Sequence, residues 1–253
     1  MSALSRALRA ETLKLRGTLA LHLCVIAPAI VVLLVVLQML VSGGRGGDRS
    51  AAEAWQFFAQ GILVLWAFLM LPLFVTLQSA LLAGLEHNER QWKHLLALPV
   101  PRHVHYVAKL LVLAAIVVAA TSVLVLLIVL AGSLLAAFAG DQFRIGGAPP
   151  WLFLASRAGA TVGAAWFIVA LHTWIAIRWS SFTVAVSVGM TATVMGFLIG
   201  QSPKYGHLYP WTMPMQVLGG EGEKIPFVLC AGLVGGSIVA LLGLWDYLRR
   251  DMA

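Results

Sequence analysis

Charged and thiol-bearing side chains are scarce in this sequence. Only 11% of its 253 residues are charged and 60% are hydrophobic, whereas a soluble domain is about a quarter charged and about half apolar. A soluble core of this length does not absorb such an excess, so the composition excludes an ordinary aqueous domain. The two cysteines, Cys24 and Cys230, lie far apart in apolar stretches without metal-ligand spacing, which indicates packing residues.

Long apolar runs take up most of the chain. A helix of about 20 apolar residues spans the hydrocarbon core of a bilayer, and six runs reach that length. They predict an all-α membrane protein with six transmembrane helices in a single domain, residues 1–253. The third run is too long for one perpendicular span, so we expect it to begin in the interface and to tilt. The runs cover residues 19–41, 57–83, 104–137, 152–177, 182–202 and 225–246.

Positive charge is unevenly distributed between the loops. With the N-terminus in the cytosol, eleven of the 17 Lys and Arg residues lie on the inner side and the others on the outer side. This bias predicts that both termini are cytosolic. The net charge of +7 is then explained by basic loops that face an anionic leaflet rather than by nucleic-acid binding.

The N-terminal residues 1–18 predict an amphipathic helix that lies in the inner interface. Its arginines fall off the apolar stripe. It is either a basic topology anchor or an elbow helix that packs against the bundle and borders a lateral opening. The stripe is formed by Leu4, Leu8, Thr12, Leu15 and Leu19.

A short charged helix, Glu86–Leu98, is predicted between the second and third runs and ends before Pro99 and Pro101. It combines one apolar face with two Glu-first pairs at i,i+4 spacing, which stabilise an isolated helix. It is either an interfacial linker or a helix that binds a cytosolic motor. The face contains Leu85, Trp92, Leu95 and Leu96, and the pairs are Glu86 with Arg90 and Glu89 with Lys93.

Polar residues inside the runs are the next candidates, because each is costly in lipid. Gln38 and Gln78 are interpreted as interhelical hydrogen-bonding residues, and His172 as a buried, hydrogen-bonded histidine. Arg157, near the outer end of the fourth run, either extends to the headgroups or contacts an anionic lipid or substrate headgroup. Gly159 with Gly163, and Gly232 with Gly236, predict close helix packing.

The fifth run and the connection after it carry further signals. Small and hydroxylated residues indicate either a seam between protomers or tight packing within one bundle: Ser187, Gly189, Thr191, Thr193 and Gly196. Residues 203–224 are rich in proline and aromatics, which predicts an outer aromatic belt or a re-entrant pair of short helices. These aromatic and proline residues are Pro203, Tyr205, Tyr209, Pro210, Trp211 and Pro214.

The order of these segments resembles the membrane subunit of a type-2 ABC transporter, an ABC-2 permease. The resemblance rests on Glu11–Leu15 (ETLKL), then two spans, then Glu86 through Val100, then Arg102, Tyr106 and Lys109 at the start of the third span. Within that superfamily the chain resembles the six-span permeases of bacitracin and lantibiotic self-protection systems. Residues 209–214 (YPWTMP) are also similar to that group.

The resemblance implies a bacterial plasma-membrane exporter that works as a homo- or heterodimer. Residues 86–98 would be the coupling helix, seated in a groove of one of two ATP-binding subunits. The coupling residues would be Glu86, Glu89, Arg90, Trp92, Lys93, Leu95 and Leu96. The sequence lacks G-x-x-x-x-G-K-[ST], so ATP and Mg²⁺ would bind to the partner and this chain would hold no cofactor. We expect Arg157, Ser187, Thr191 and Thr193 at the substrate pathway or dimer seam.

Two other classes of membrane protein were weighed against a permease. A haem- or quinone-binding carrier needs paired histidines in the membrane, for which His22 and His172 are the candidates. A rhomboid-type protease needs G-x-S-G and a histidine on a neighbouring span. The closest match, Gly235–Ile238 (GGSI), lacks the last glycine. Both classes are therefore weaker interpretations than an ATP-driven exporter of a peptide antibiotic, lipid or drug.

Overall fold

The chain forms a helical bundle in the computed structural model, which describes residues 2–43, 49–88, 101–179, 181–219 and 224–249 and only the backbone of 85–88. The structure is 86% helical, and its described residues include no strand. Six segments are long and apolar enough to cross a membrane, which confirms the predicted all-α membrane fold. They are Leu19–Val41, Ala51–Gly84, Arg102–Phe143, Trp151–Arg178, Phe182–Gly200 and Ile225–Arg249.

The helices of the described part are numbered here in chain order. Two π-helical turns, Trp66–Met70 and Ala231–Gly235, join α3 to α4 and α9 to α10, so that each pair forms one continuous span. The helices are α1 (Ala3–Lys14), α2 (Leu19–Val41), α3 (Ala51–Leu65), α4 (Leu71–Asn88), α5 (Arg102–Phe143), α6 (Trp151–Arg178), α7 (Phe182–Gly200), α8 (Met213–Gly219), α9 (Ile225–Cys230) and α10 (Gly236–Arg249).

Helix α1 is shorter than the predicted 1–18 segment and buries a different face. It begins after Ser2, whose hydroxyl accepts the Ser5 N–H at 3.2 Å, as N-cap serines do. It ends at Lys14, and Gly17, with φ of +72°, turns the chain into α2. Thr12 is exposed, whereas Glu11 is buried. The buried face of α1 therefore contains the Glu11 carboxylate and not Thr12, which the predicted stripe included.

The second span starts six residues before the apolar run does. Ser50 and Glu53 form a capping box, which satisfies free N–H groups at a helix start. The helix thus begins at Ala51 although Glu53 interrupts the hydropathy. Further along this span, the backbone hydrogen bonds of Trp66–Met70 change to π-helical spacing shortly before Pro72. Proline has no N–H for the usual α-helical bond from residue i to residue i−4.

Helix α5 is much longer than a bilayer core is thick. Its 42 residues correspond to about 63 Å, against about 30 Å of hydrocarbon. The non-helical backbone of Ala139 (φ −145°, ψ 29°) interrupts it near its end. At least one end of α5 must therefore lie outside the hydrocarbon, as the long third run predicted.

The glycines of the last span let it approach α6 closely. A Cβ on Gly232 would lie 2.8 Å from the Cα of Ala164, and one on Gly236 would lie 2.8 Å from the backbone nitrogen of Phe167. Both distances are too short for a real contact. The Gly232/Gly236 pair therefore serves packing within this chain.

Both ends of the described chain lie on the same side of the bundle. Ala7 of α1 packs on Val104 and Ala108 near the start of α5. Tyr106, in the same turn of α5, lies beside Tyr247 near the end of α10, with ring centroids 5.9 Å apart and the rings tilted by 37°. We call this side the α1 face. The opposite face carries the ends of α2, α5 and α7 and the starts of α3, α6 and α9.

The charge bias, together with the location of both chain ends on the α1 face, predicts on which side of the membrane a fused reporter protein lies. Fusions at Gly46 and Gly147 should be external, and fusions after Gly84 and Met252 internal, because the α1 face carries most of the lysines and arginines. Paired phosphatase and fluorescent-protein fusions measure this. A cytosolic signal at Gly147 would contradict the proposed orientation.

Candidate coupling and substrate-pathway site

A buried ion pair joins α1 to α5 on the α1 face. Lys109 Nζ lies 3.3 Å from Glu11 Oε2, and both side chains are only 7% exposed. The second oxygen, Oε1, accepts from Lys14 Nζ at 2.8 Å, and Lys14 is 24% exposed. A buried charge is tolerated when it is paired and hydrogen-bonded. Glu11 therefore fixes α1 to the start of the third span.

The predicted coupling segment begins in the last turn of α4 and ends before α5. The backbone of Glu86 lies in the last turn of α4, which ends at Asn88. Glu89, Arg90, Trp92, Lys93, Leu95 and Leu96 lie outside the described residues. Because α5 begins at Arg102, two turns before Lys109, the Glu11–Lys109 pair lies just after the predicted coupling segment along the chain.

A second polar cluster ties α6 to α10 on the same face. Trp174 Nε1 donates to Asp246 Oδ2 at 3.0 Å, and Arg178 Nε lies 3.6 Å from the same oxygen. Gly243 makes room for this contact, because a Cβ there would collide with Trp174 and with the Tyr106 hydroxyl. The sequence signal for this cluster is Asp246, an acid at the end of an apolar run.

Polar groups also meet in the middle of the bundle. His172 is fully buried, and its Nε2 lies 3.3 Å from Thr76 Oγ1. Gln78, also fully buried, donates through Nε2 to the Ala20 carbonyl at 2.8 Å. Both contacts join different helices, which agrees with the interpretation of Gln78 as an interhelical hydrogen-bonding residue and of His172 as a buried, hydrogen-bonded histidine.

The five small or hydroxylated residues of α7 divide between two faces. Thr193 is buried, and its hydroxyl donates to the Gly189 carbonyl at 2.7 Å. A Cβ on Gly189 would collide with Thr76, so this face packs inside the bundle. Ser187 and Thr191 are exposed instead. The exposed face continues with large apolar residues, namely Val184, Val188, Met190, Val194, Met195 and Leu198.

Arg157 holds the end of α8. Its Nη1 donates to the Val217 carbonyl at 2.9 Å, and Gln60 Nε2 donates to the next carbonyl, that of Leu218, at 2.7 Å. The last carbonyls of a helix have no partner within it, so these two side chains act as its C-terminal cap. Arg157 also lines a groove on the opposite face.

The connection before α8 packs into the bundle through its aromatic residues. Tyr209 Oη donates to the Ala192 carbonyl of α7 at 2.8 Å, and burial raises its pKa above the ordinary value. Its ring stacks on Trp211 at 5.6 Å, and Trp211 meets His172 edge-on at 5.8 Å. Whether residues 203–224 re-enter the membrane stays a prediction.

The two histidines considered for a redox carrier differ in burial, and the serine considered for a protease is hydrogen-bonded within the bundle. His22 is exposed and its Nδ1 contacts the Thr18 carbonyl of its own helix at 2.8 Å, whereas His172 is fully buried. Ser237 donates to the Leu233 carbonyl at 2.7 Å and accepts from Trp166 Nε1 at 3.2 Å. Among the described residues, no group of three or more His, Cys, Asp or Glu side chains has metal-binding geometry.

Six apolar spans define a multi-pass membrane protein. Residues 7–197, about three quarters of the chain, match the family described as ABC-2 family transporter protein. The chain belongs to this family and is a membrane permease of an ABC transporter. Membership implies in general an association with an ATP-binding subunit. A comparison with curated protein sequences found no match.

Proposed function

We propose that this chain is the permease of an ATP-driven exporter for a hydrophobic or amphipathic substrate, such as a peptide antibiotic, a lipid or a drug. It works as a homo- or heterodimer above two ATP-binding subunits, with both termini in the cytosol of a bacterium. ATP and Mg²⁺ are bound by those subunits. The resemblance to bacitracin and lantibiotic self-protection permeases favours a peptide antibiotic among these substrates.

The observation that carries the proposal is the arrangement around the connection from α4 to α5. This connection contains the charged residues of the predicted coupling helix. The start of α5, which follows this connection along the chain, lies on the α1 face, where Glu11 and Lys109 tie α1 to α5. A push on residues 86–98 therefore reaches the second and third spans directly and α1 through a buried ion pair.

Substrate enters sideways from the leaflet in this proposal. Helix α1 borders the bundle on one side, and the exposed face of α7 offers Ser187 and Thr191 among large apolar side chains. Only 22% of the apolar stretch of α7 is buried inside this chain. A second protomer on that face would cover it and complete the pathway between the two chains.

Cysteine cross-linking separates a seam from ordinary packing. Cysteines at Ser187 and Thr191 should cross-link between protomers, and bound substrate should reduce the yield. Thr193→Cys is the matched control, since Thr193 is buried against its own bundle and should give no product. Absence of inter-protomer products at Ser187 and Thr191, with transport intact, would contradict a seam on this face.

The direction of transport has its own test. Inside-out vesicles that contain the permease and its ATPase should accumulate a labelled amphipathic peptide, lipid or drug when ATP is added. An exporter fills inside-out vesicles because their exterior corresponds to the cytosol. ATP-dependent loss of preloaded label from these vesicles would contradict export.

A further inference from the structure

An open groove of about 700 Å³ lies at the opposite face. It is bordered by the starts of α3, α6 and α9 and by the end of α8. Its wall is partly polar and partly apolar. No Asp or Glu is among its lining residues in the described part of the chain. Its lining residues include Gln56, Trp151, Leu152, Ser156, Arg157 and Ile225.

Arg157 is the cation of this groove. It is half-buried, and its guanidinium lies 5.7 Å from the Phe153 ring centroid. One of its five N–H donors bonds to the Val217 carbonyl. No acidic side chain among the described residues forms a salt bridge with it, and an arginine remains charged in a protein. Its charge and remaining donors suit an anion with several oxygen acceptors.

The groove lies at the start of the fourth span, beside an exposed tryptophan. Trp151 begins α6 and is 52% exposed, and tryptophan is enriched at the membrane interface. Arg157 lies six residues further along α6, which is about 9 Å. Leu152, 85% exposed, and Ile225 supply apolar surface at the same site. A cation with an apolar wall at this depth matches a phosphate headgroup with attached acyl chains.

We propose that this groove binds an anionic phospholipid of the adjoining leaflet, with its phosphate at Arg157. The lipid phosphate accepts the guanidinium N–H donors that α8 leaves free, and the acyl chains lie along Leu152 and Ile225. The site joins α3, α6, α8 and α9, so the bound lipid ties the short helix α8 to two spans. This lipid site does not depend on the direction or the substrate of transport.

Native mass spectrometry of the purified full chain in detergent tests the site. The probes are phosphatidylglycerol and phosphatidylcholine with the same acyl chains. We expect a preference for phosphatidylglycerol of about tenfold or more, because both lipids offer a phosphate to Arg157 but only phosphatidylcholine adds an ammonium that the guanidinium repels. Gln56→Glu should remove it, because Gln56 and Arg157 line the same groove and a carboxylate there competes with the lipid phosphate for the guanidinium. This variant leaves the side-chain volume nearly unchanged.

Two more variants and one competitor complete the experiment. Arg157→Gln should also remove the preference, and Arg49→Gln should keep it, since Arg49 contacts the Phe57 ring and does not line the groove. Glycerol 3-phosphate should not displace the lipid. Equal binding of both lipids by the unaltered chain would overturn the proposal, as would a preference retained in Gln56→Glu. Displacement by glycerol 3-phosphate at lipid-like concentrations would overturn the lipid as the source of the phosphate.

Discussion

Replacing Glu11 with leucine should destabilise the protein by about 3–5 kcal/mol, the usual cost of removing one partner from a buried ion pair. The change leaves the Lys109 ammonium, 7% exposed, in the core without that carboxylate. It also weakens the attachment of α1 to α5, which then depends on the packing of Ala7 on Val104 and Ala108. The melting temperature in detergent and the amount of protein in the membrane report the loss.

A double-mutant cycle separates the pair from its surroundings. Glu11→Leu with Lys109→Met should be more stable than Glu11→Leu alone, because the double variant also removes the buried ammonium that has lost the Glu11 carboxylate. Lys14→Met is the matched control: it removes the more exposed partner of Glu11 and should cost less than about 1 kcal/mol. If Glu11→Leu is as stable as the unaltered protein, the ion pair does not hold α1.

Replacing Trp92 with alanine should release the ATP-binding subunit or uncouple ATP hydrolysis from transport. Buried aromatic anchors contribute about 2 kcal/mol or more to an interface, which corresponds to roughly thirtyfold weaker binding. Trp92 lies on the apolar face of the predicted coupling helix with Leu95 and Leu96. The measurement combines copurification of the ATPase with transport per ATP hydrolysed.

Trp179→Ala is the control for the coupling prediction. Trp179 follows α6 on the α1 face, is 47% exposed and lies outside the connection from α4 to α5. Its loss should leave partner binding and transport near normal. Normal copurification and transport in Trp92→Ala would show that the ATPase does not grip this helix face.

The six spans were predictable because hydropathy depends on local sequence. Helix α2 covers Leu19–Val41, the same residues as the first run. Hydropathy alone predicts a start at residue 57 for the second span, which is six residues too late. The Ser50–Glu53 pair matches the S-x-x-E signature of a helix start and would have placed it at Ala51.

Contacts between distant residues were not predictable in the same way. Glu11 and Lys109 are 98 positions apart, and helical periodicity placed Thr12 rather than Glu11 on the buried stripe. Periodicity fails there because α1 ends at Lys14, so that Leu15 and Leu19 do not continue its phase. In α7, small residues lie on more than one face, and only packing decides that Thr193 turns inward while Thr191 turns out.

The groove at Arg157 shows the same limit. The sequence identified Arg157 as a candidate for an anionic headgroup, because a cation near a span end is costly unless it meets an anion or the interface. Its second role, as a cap for α8 through the Val217 carbonyl, depends on a helix of seven residues whose position is set by tertiary packing.

Affinity purification of the tagged full chain from its native membrane, followed by mass spectrometry, tests the central claim most directly. The claim is that this permease is driven by ATP hydrolysed on a separate polypeptide. The expected result is a copurifying protein with the G-x-x-x-x-G-K-[ST] sequence, present in equal amount to the permease and active as an ATPase. Recovery of the chain without any such protein, together with intact transport, would contradict it.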